Sequence, residues 1–112
     1  MAWKAIHRYC RTAPRKARLI INMIRGRDVQ DALNILKFTP NKMAVEVSKV
    51  LNSAIANASQ DENVDVNALF VSEARVDDGV VMKRFEPKDR GRAYTIRKRT
   101  SHIVVAVDQE QE

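Results

Sequence analysis

Apolar residues recur at helical spacing in three segments of the first sixty residues. The segments 17–24 and 29–36 each place apolar residues at i, i+3, i+4 and i+7, and a longer apolar stripe follows over 43–58. This spacing gives each segment one apolar face. The sequence therefore predicts three helices that pack through these faces.

Residues that favour helix ends bracket the three stripes. Thr12, two residues before a proline, predicts the start of the first helix, and Gly26 predicts its left-handed end. Asp28 is expected to cap the second helix, and Pro40 to end it. The third helix is predicted over about 41–59.

Alternating apolar and polar residues predict strands elsewhere. The first is a short strand or extended arm at 2–10, and two antiparallel strands are predicted near 68–76 and 95–107. The intervening stretch is too long for a tight turn and predicts an extended hairpin with its tip near 82–92. Helices followed by a strand pair indicate one α+β domain.

Positive charge is concentrated in two blocks, whereas the net charge of the chain is only +6. Residues 1–27 hold eight basic residues and no acidic one, and residues 79–100 hold eight basic and two acidic ones. Like charges repel along a helix, and a cationic loop with few large apolar groups cannot bury itself. Both blocks therefore favour an anionic partner, and nucleic acid is the expected one.

The composition narrows the class of protein further. A chain of 112 residues fits one domain, and a single cysteine excludes an intramolecular disulfide. The sequence contains neither an apolar stretch of signal-peptide length nor a membrane span. We expect a protein of the cytoplasm or of an organelle of bacterial descent.

Catalytic or metal-binding chemistry has little support in the sequence. His7, Cys10 and His102 offer three ligand atoms, but no recognised motif spaces them. No glycine-rich phosphate-binding motif occurs. We therefore expect no enzyme, no cofactor and no metal.

Several separated motifs resemble the bacterial-type large-subunit ribosomal protein twenty-two family. They are HRYCR at 7–11, RKARLI at 15–20, IRG at 24–26, KVLNSAIANA at 49–58, MKR at 82–84, Pro87, GRA at 91–93 and KRTSHI at 98–103. The resemblance extends from about residue 6 to about residue 107. It implies three helices packed on a short antiparallel sheet, with a long projecting β-hairpin at about 78–98. Residues 1–112 then form a single RNA-binding domain, with a short acidic tail at 108–112.

The resemblance also implies a function. In that family the globular part binds large-subunit ribosomal RNA near the opening of the peptide exit tunnel, and the hairpin tip lines the tunnel. Expected partners are therefore large-subunit ribosomal RNA, neighbouring ribosomal proteins and, transiently, the nascent peptide, in a cytoplasmic or organellar ribosome. No homo-oligomer is expected. The alternative is a free-standing nucleic-acid-binding regulatory protein, with residues 15–37 forming a helix-turn-helix.

Charge and resemblance together give the candidate residues. Expected RNA-binding residues are Lys4, His7, Arg8, Arg11, Arg15, Lys16, Arg18, Arg25, Arg27, Lys83, Arg84, Lys88, Arg90, Arg92, Arg97, Lys98, Arg99, Thr100 and His102. The tip implied by the resemblance comprises Met82, Lys83, Arg84, Arg90, Gly91 and Arg92. Glu86 and Asp89 depart from the basic or neutral residues common at such a tip.

Overall fold

A computed structural model describes the backbone of residues 2–88 and 92–109 and the side chains of residues 2–81 and 98–109. The elements are β1 (Trp3–Cys10), α1 (Pro14–Ile24), α2 (Val29–Phe38), α3 (Lys42–Ser59), a 3-10 turn (Val66–Ala68), β2 (Leu69–Lys88) and β3 (Arg92–Gln109). The predicted α+β class is confirmed. Arg90 and Gly91 of the predicted tip, and residues 110–112 of the predicted tail, lie outside the described residues.

The three strands form one antiparallel sheet in the order β1-β3-β2. The central strand β3 pairs with β1 from Trp3 opposite Val107, and with β2 from Leu69 opposite Gln109. Both long strands run well beyond the part of the sheet that β1 covers, which ends where Cys10 faces Ser101. The two-stranded extension is the hairpin that the sequence predicts.

The helices cover one face of this sheet, and the core lies between the two layers. Alternate residues of β3, from Ile103 to Val107, point into this core and are buried. Val47 and Leu51 of α3 and Ile21 of α1 meet them, all with no exposed surface. Burying an aliphatic side chain of this size contributes about 1.5–3 kcal/mol, so these contacts supply most of the driving force for folding.

Two methionines test the predicted helical stripes. Met43 is buried in the core, as expected. The apolar character of Met23 predicts a core position as well, but Met23 is 40% exposed because it lies on α1 beside the buried stripe and not within it. Among the described residues, no helix is long and apolar enough to cross a membrane.

The helix ends follow the sequence at some positions and depart from it at others. Gly26 follows α1 with a φ of +79°, as predicted. Asn41 caps α3, because its Oδ1 accepts from the backbone N–H of Met43 at 2.9 Å. The prediction for Thr12 is wrong, because α1 begins one residue later and its N-cap is Ala13, which makes no side-chain hydrogen bond. Asp28 occupies the N-cap position of α2, but its side chain does not cap the helix.

The outer edge of β2 is closed by α1 and the residues after it. Gly26 donates its N–H to the carbonyl of Val71, and Val71 donates to the carbonyl of Arg27, so this short segment pairs like an added strand. Farther along the edge, the Arg25 guanidinium donates to the carbonyl of Ala74 from Nε at 3.0 Å and from Nη2 at 2.7 Å. Unpaired edge carbonyls are costly when shielded from water, and an open edge invites aggregation.

A close approach of backbone to side chain marks the base of the hairpin. The register of β2 against β3 shifts between Asp78 and Val81, and Thr100 Oγ1 donates to the carbonyl of Val80 at 2.6 Å. A Cβ at Gly79 would lie 2.5 Å from Thr100 Oγ1 and 3.1 Å from the Thr100 carbonyl oxygen. Only glycine fits this position without displacing Thr100.

We predict that Arg25→Met lowers the free energy of unfolding by about 1 kcal/mol, because it removes both donors to Ala74 and keeps the aliphatic stem. Arg15→Met is the matched control, since Arg15 is exposed on the same helix, and should cost less than about 0.5 kcal/mol. Urea unfolding of the two variants measures the difference. Equal losses would show that Arg25 does not hold the edge.

We predict that Gly79→Ala destabilises the chain by about 1–3 kcal/mol through overpacking against Thr100. The loss should shrink in a Thr100→Ala background, because the 2.5 Å contact disappears and only the contact with the carbonyl oxygen remains. Thermal unfolding of the two single variants and the double variant gives the coupling free energy between Gly79 and Thr100. The same loss in both backgrounds would contradict the clash.

Candidate nucleic-acid interface

A cleft of about 610 Å³ opens between the end of β1, the start of α1 and the start of α3. Three cationic residues line it, Arg11 and Lys16 from the first basic block and Lys42 from α3, and we call it the basic cleft. All three are exposed. The i, i+4, i+7 spacing of Arg11, Arg15 and Arg18 predicts a shared helical face. That prediction is wrong for Arg11, because Arg11 precedes α1.

Both helices that border the basic cleft present their N-terminal ends to it. Ala13 precedes the first turn of α1, and Asn41 to Met43 begin α3. Neither helix has an acidic residue in its first turn. Pro14 has no N–H, and the N–H of Met43 already donates to Asn41. The attraction for an anion at these helix ends therefore comes chiefly from the positive ends of the helix dipoles. The backbone therefore adds to the attraction that the three cations exert on a phosphate.

Among the residues that the structure describes, one carboxylate lies within the basic cleft. Glu46, on the second turn of α3, has Oε2 at 3.6 Å from His7 Nδ1 and Oε1 at 3.6 Å from Lys49 Nζ. The predicted RNA-binding residue His7 is thus paired with a carboxylate inside the fold. The remaining cations of the cleft outnumber this one negative charge.

A second, smaller groove of about 220 Å³ lies on the sheet face that the helices leave open. The predicted residues Arg8 and His102 line it together with Tyr9 and Arg75. The rings of Tyr9 and His102 meet edge to face, with centroids 4.9 Å apart, and Tyr9 is 61% exposed. Arg75 is already paired with Glu73 and with Asp77, which also lines the groove. The exposed ring of Tyr9 beside Arg8 remains suited to stacking on an unpaired RNA base.

The conformation of Tyr9 is unusual for a residue other than glycine. Its φ is +57°, and its N–H donates to His102 Nδ1 at 3.0 Å. Since Nδ1 accepts this bond, the neutral His102 ring carries its proton on Nε2. The alternation along β1 predicts Tyr9 on the same, helix-facing side as Trp3, Ala5 and His7. The register shift between His7 and Cys10 overturns this prediction.

Several predicted RNA-binding residues are used within the fold. Arg18 Nη2 donates to the carbonyl of Val76 at 3.0 Å and approaches Asp78 Oδ1 at 3.3 Å. Arg25 holds the β2 edge, and Arg27 Nε donates to the carbonyl of Met23 at 2.9 Å. Some of the N–H donors of these guanidinium groups are therefore already hydrogen-bonded within the fold before any ligand binds.

Two further predicted residues have partners of their own. Lys4 Nζ lies 3.5 Å from Glu73 Oε2 on the open sheet face. Thr100 is 4% exposed and its hydroxyl donates within the hairpin, so we leave its side chain out of the proposed interface.

The second basic block is described only in part. Lys98 and Arg99 are exposed near the base of the hairpin, where Arg99 borders a small groove with Gly79 and Val81. The strands continue as far as Lys88 and resume at Arg92. The remaining predicted side chains lie outside the described residues: Met82, Lys83, Arg84, Lys88, Arg90, Arg92 and Arg97.

The structure also brings in residues that the sequence did not single out. Lys42 belongs to an acidic stretch of the chain and reaches the basic cleft only because α3 begins beside β1. Glu46 likewise acquires its role from the packing of β1 against α3, and Tyr9 acquires its role from its contact with His102 of β3. A prolonged block of one charge is visible in a sequence, whereas single residues brought together by packing are not.

The helix-turn-helix alternative requires α2 to read a nucleic-acid groove. Val29, Ala32 and Leu36 of this helix are buried in the core. Its outer face carries Asp31 and a single cation, Lys37, which lies over the ring of Phe38. This surface is poorly suited to a polyanion.

Comparison with known proteins supports the family resemblance that the sequence motifs indicate. The model of the family described as ribosomal protein L22p/L17e matches residues 5–108. Large ribosomal subunit protein uL22 of Maridesulfovibrio salexigens is 55% identical over 107 residues, covering 96% of this chain and 97% of that protein.

Two further relatives carry the same name. The protein from Desulfitobacterium hafniense is 52% identical over 109 residues, covering 97% of this chain and 96% of its own length. The protein from Clostridium novyi is 48% identical over 107 residues, covering 96% of each. The likeness therefore extends over nearly the whole of all four chains.

Proposed function

Because this chain belongs to the ribosomal protein L22p/L17e family, we propose that it is a structural constituent of the large ribosomal subunit and that its basic cleft holds ribosomal RNA. It is not an enzyme, in keeping with the sparse catalytic chemistry of its sequence. The relatives are bacterial, so the cytoplasmic ribosome is its location and the organellar one is set aside.

The observation that carries the proposal is the convergence of two helix N-termini and three cationic side chains on one cleft. Arg11, Lys16 and Lys42 can each neutralise a phosphate, and an RNA backbone offers phosphates at the spacing of successive nucleotides. No base-reading geometry is required, because contacts of this kind recognise backbone and shape. The basic cleft is therefore the proposed anchor of the globular part.

The open sheet face would extend this anchor to an unpaired base. Arg8 lies beside the exposed ring of Tyr9, and the two could hold one nucleotide by phosphate pairing and stacking. The two surfaces meet at residues 7–10, since Tyr9 borders both the groove and the basic cleft. One RNA strand could therefore follow β1 from one surface to the other.

The hairpin would carry out a second task. From Gly79 to Lys88 the strand β2 advances about 30 Å at the usual rise of a strand. That reach supports the proposal, drawn from the family resemblance, that the hairpin enters the peptide exit tunnel and that Met82, Lys83, Arg84, Arg90, Gly91 and Arg92 lie near the nascent peptide. Arg97, Lys98 and Arg99 would then face RNA along the stem. Neighbouring ribosomal proteins remain proposed partners.

We predict that Lys16→Ala weakens binding to large-subunit ribosomal RNA and lowers the slope of log K against log salt by about 0.7–0.9, the value of one lost phosphate contact. Lys37→Ala is the matched control, because it removes the same charge from the exposed face of α2, outside the basic cleft. Binding should be measured at several salt concentrations with the intact chain.

An equal loss of affinity in the two lysine variants would contradict the proposed cleft, because it would show that only the net charge matters. Unchanged affinity and slope for Lys16→Ala would contradict it as well. Sedimentation of cell extracts tests the broader proposal: the intact chain should travel with the large subunit, and a chain found mainly elsewhere would favour a free-standing regulator.

A further inference from the structure

The basic cleft also holds three side chains with metal-binding atoms, and we propose that His7, Cys10 and Glu46 form a binding site for a zinc ion. A ring nitrogen, the thiol sulfur and a carboxylate oxygen from these residues all lie within 4.8 Å of one another. This site is separate from the cations that we assign to RNA, and its test does not depend on the proposed function.

A β-bulge is what places His7 and Cys10 together. Residues three apart in a regular strand point to opposite faces of a sheet. Here His7 pairs with Ile103 and Cys10 pairs with Ser101, so β1 uses one residue more than β3 between these two pairs. Ile103 and Ser101 are both fully buried and lie on one face of β3, and the bulge turns Cys10 to that same side.

The bulge includes Tyr9, the one residue other than glycine with a positive φ in the part of the chain that the structure describes. Tyr9, with its φ of +57°, supplies the turn that redirects Cys10, and the bond from its N–H to His102 Nδ1 holds it there. A positive φ costs a residue such as tyrosine of order 1 kcal/mol or more, and strain of this kind is concentrated at functional sites. The strain at Tyr9 is accounted for if the bulge serves to bring the three ligands together.

The distances fit a tetrahedral ion after a small adjustment. Zinc–ligand bonds of about 2.0–2.3 Å place the ligand atoms of a tetrahedral site about 3.3–3.8 Å apart. His7 Nδ1 and Glu46 Oε2 are already 3.6 Å apart. The three ligand atoms lie within 4.8 Å of one another, so the sulfur of Cys10 has to move by up to about 1.5 Å. Its contact in the structure, Thr12 Oγ1 at 3.7 Å, is a weak one.

The donor set selects the ion. A thiolate and an imidazole favour zinc over magnesium or calcium, which prefer oxygen ligands. On binding, the Cys10 thiol releases its proton to solvent and a zinc–sulfur bond forms. The thiolate and the Glu46 carboxylate together balance the two positive charges of the ion, so the loaded site adds no net charge beside Arg11, Lys16 and Lys42.

The surroundings leave room for the ion and for one more ligand. Lys49 contacts the other carboxylate oxygen of Glu46, so Oε2 remains available. Three protein ligands leave the fourth position of a tetrahedral ion open, here toward the basic cleft. A water molecule fills that position in the isolated protein, and an RNA phosphate oxygen could replace it.

Cobalt substitution tests the proposal in the intact chain, expressed without a histidine tag and freed of metal. Titration with cobalt(II) should give tetrahedral absorption bands and a thiolate-to-cobalt charge-transfer band at one ion per chain, and zinc should displace them. Cys10 is the only cysteine, so the charge-transfer band reports this residue alone. An absent band, or an octahedral spectrum only, would overturn the site.

Variants then test each ligand. Cys10→Ser should abolish the charge-transfer band, and His7→Gln and Glu46→Gln should each weaken zinc binding by about 100-fold or more. Glu62→Gln, which alters an exposed carboxylate in a loop, is the matched control and should bind as the parent does. Ligand variants that bind zinc as tightly as this control would refute the assignment.

A further readout needs no variant and guards against a ligand substitution that fails to fold. In the parent chain, zinc should slow alkylation of Cys10 in proportion to the occupied fraction, whereas magnesium should not. Alkylation at the same rate with and without saturating zinc would contradict coordination by the thiolate.

Discussion

The contact between α1 and the outer edge of β2 determines how the helical layer sits on the sheet. Backbone pairing at Val71 and the guanidinium of Arg25 at Ala74 satisfy edge carbonyls that would otherwise be left open. Because these bonds fix both the position and the direction of α1, they also fix where its N-terminus meets β1 and α3. The basic cleft is a consequence of that placement.

This arrangement gives different roles to two groups of residues in the first basic block. Arg18, Arg25 and Arg27 donate to carbonyls of the same chain and act within the fold. Arg11 and Lys16 border the basic cleft, where a polyanion could reach them. A block of like charge that is destabilising on a free helix is tolerated here because part of it is hydrogen-bonded and part faces a proposed ligand.

Local patterns were sufficient to predict the elements but not the way they meet. Apolar spacing predicted all three helices, Gly26 marked the end of α1 correctly, and the length between the predicted strands indicated the hairpin. The bulge at Tyr9 and the hydrogen bonds from Arg25 to Ala74 depend on contacts between residues that are far apart in the sequence. No local pattern indicates such contacts. For the same reason, neither Lys42 nor Glu46 could be assigned to the cleft from the sequence.

The central claim is that the basic cleft faces RNA in the assembled subunit, and lysine labelling tests it most directly. The free chain and the purified large subunit are treated with an amine-reactive reagent, and the modification rate of each lysine is read by mass spectrometry. The account predicts that Lys16 and Lys42 are labelled much more slowly in the subunit, and that their protection exceeds that of Lys37. Labelling of Lys16 and Lys42 at the same rate in both samples would contradict it.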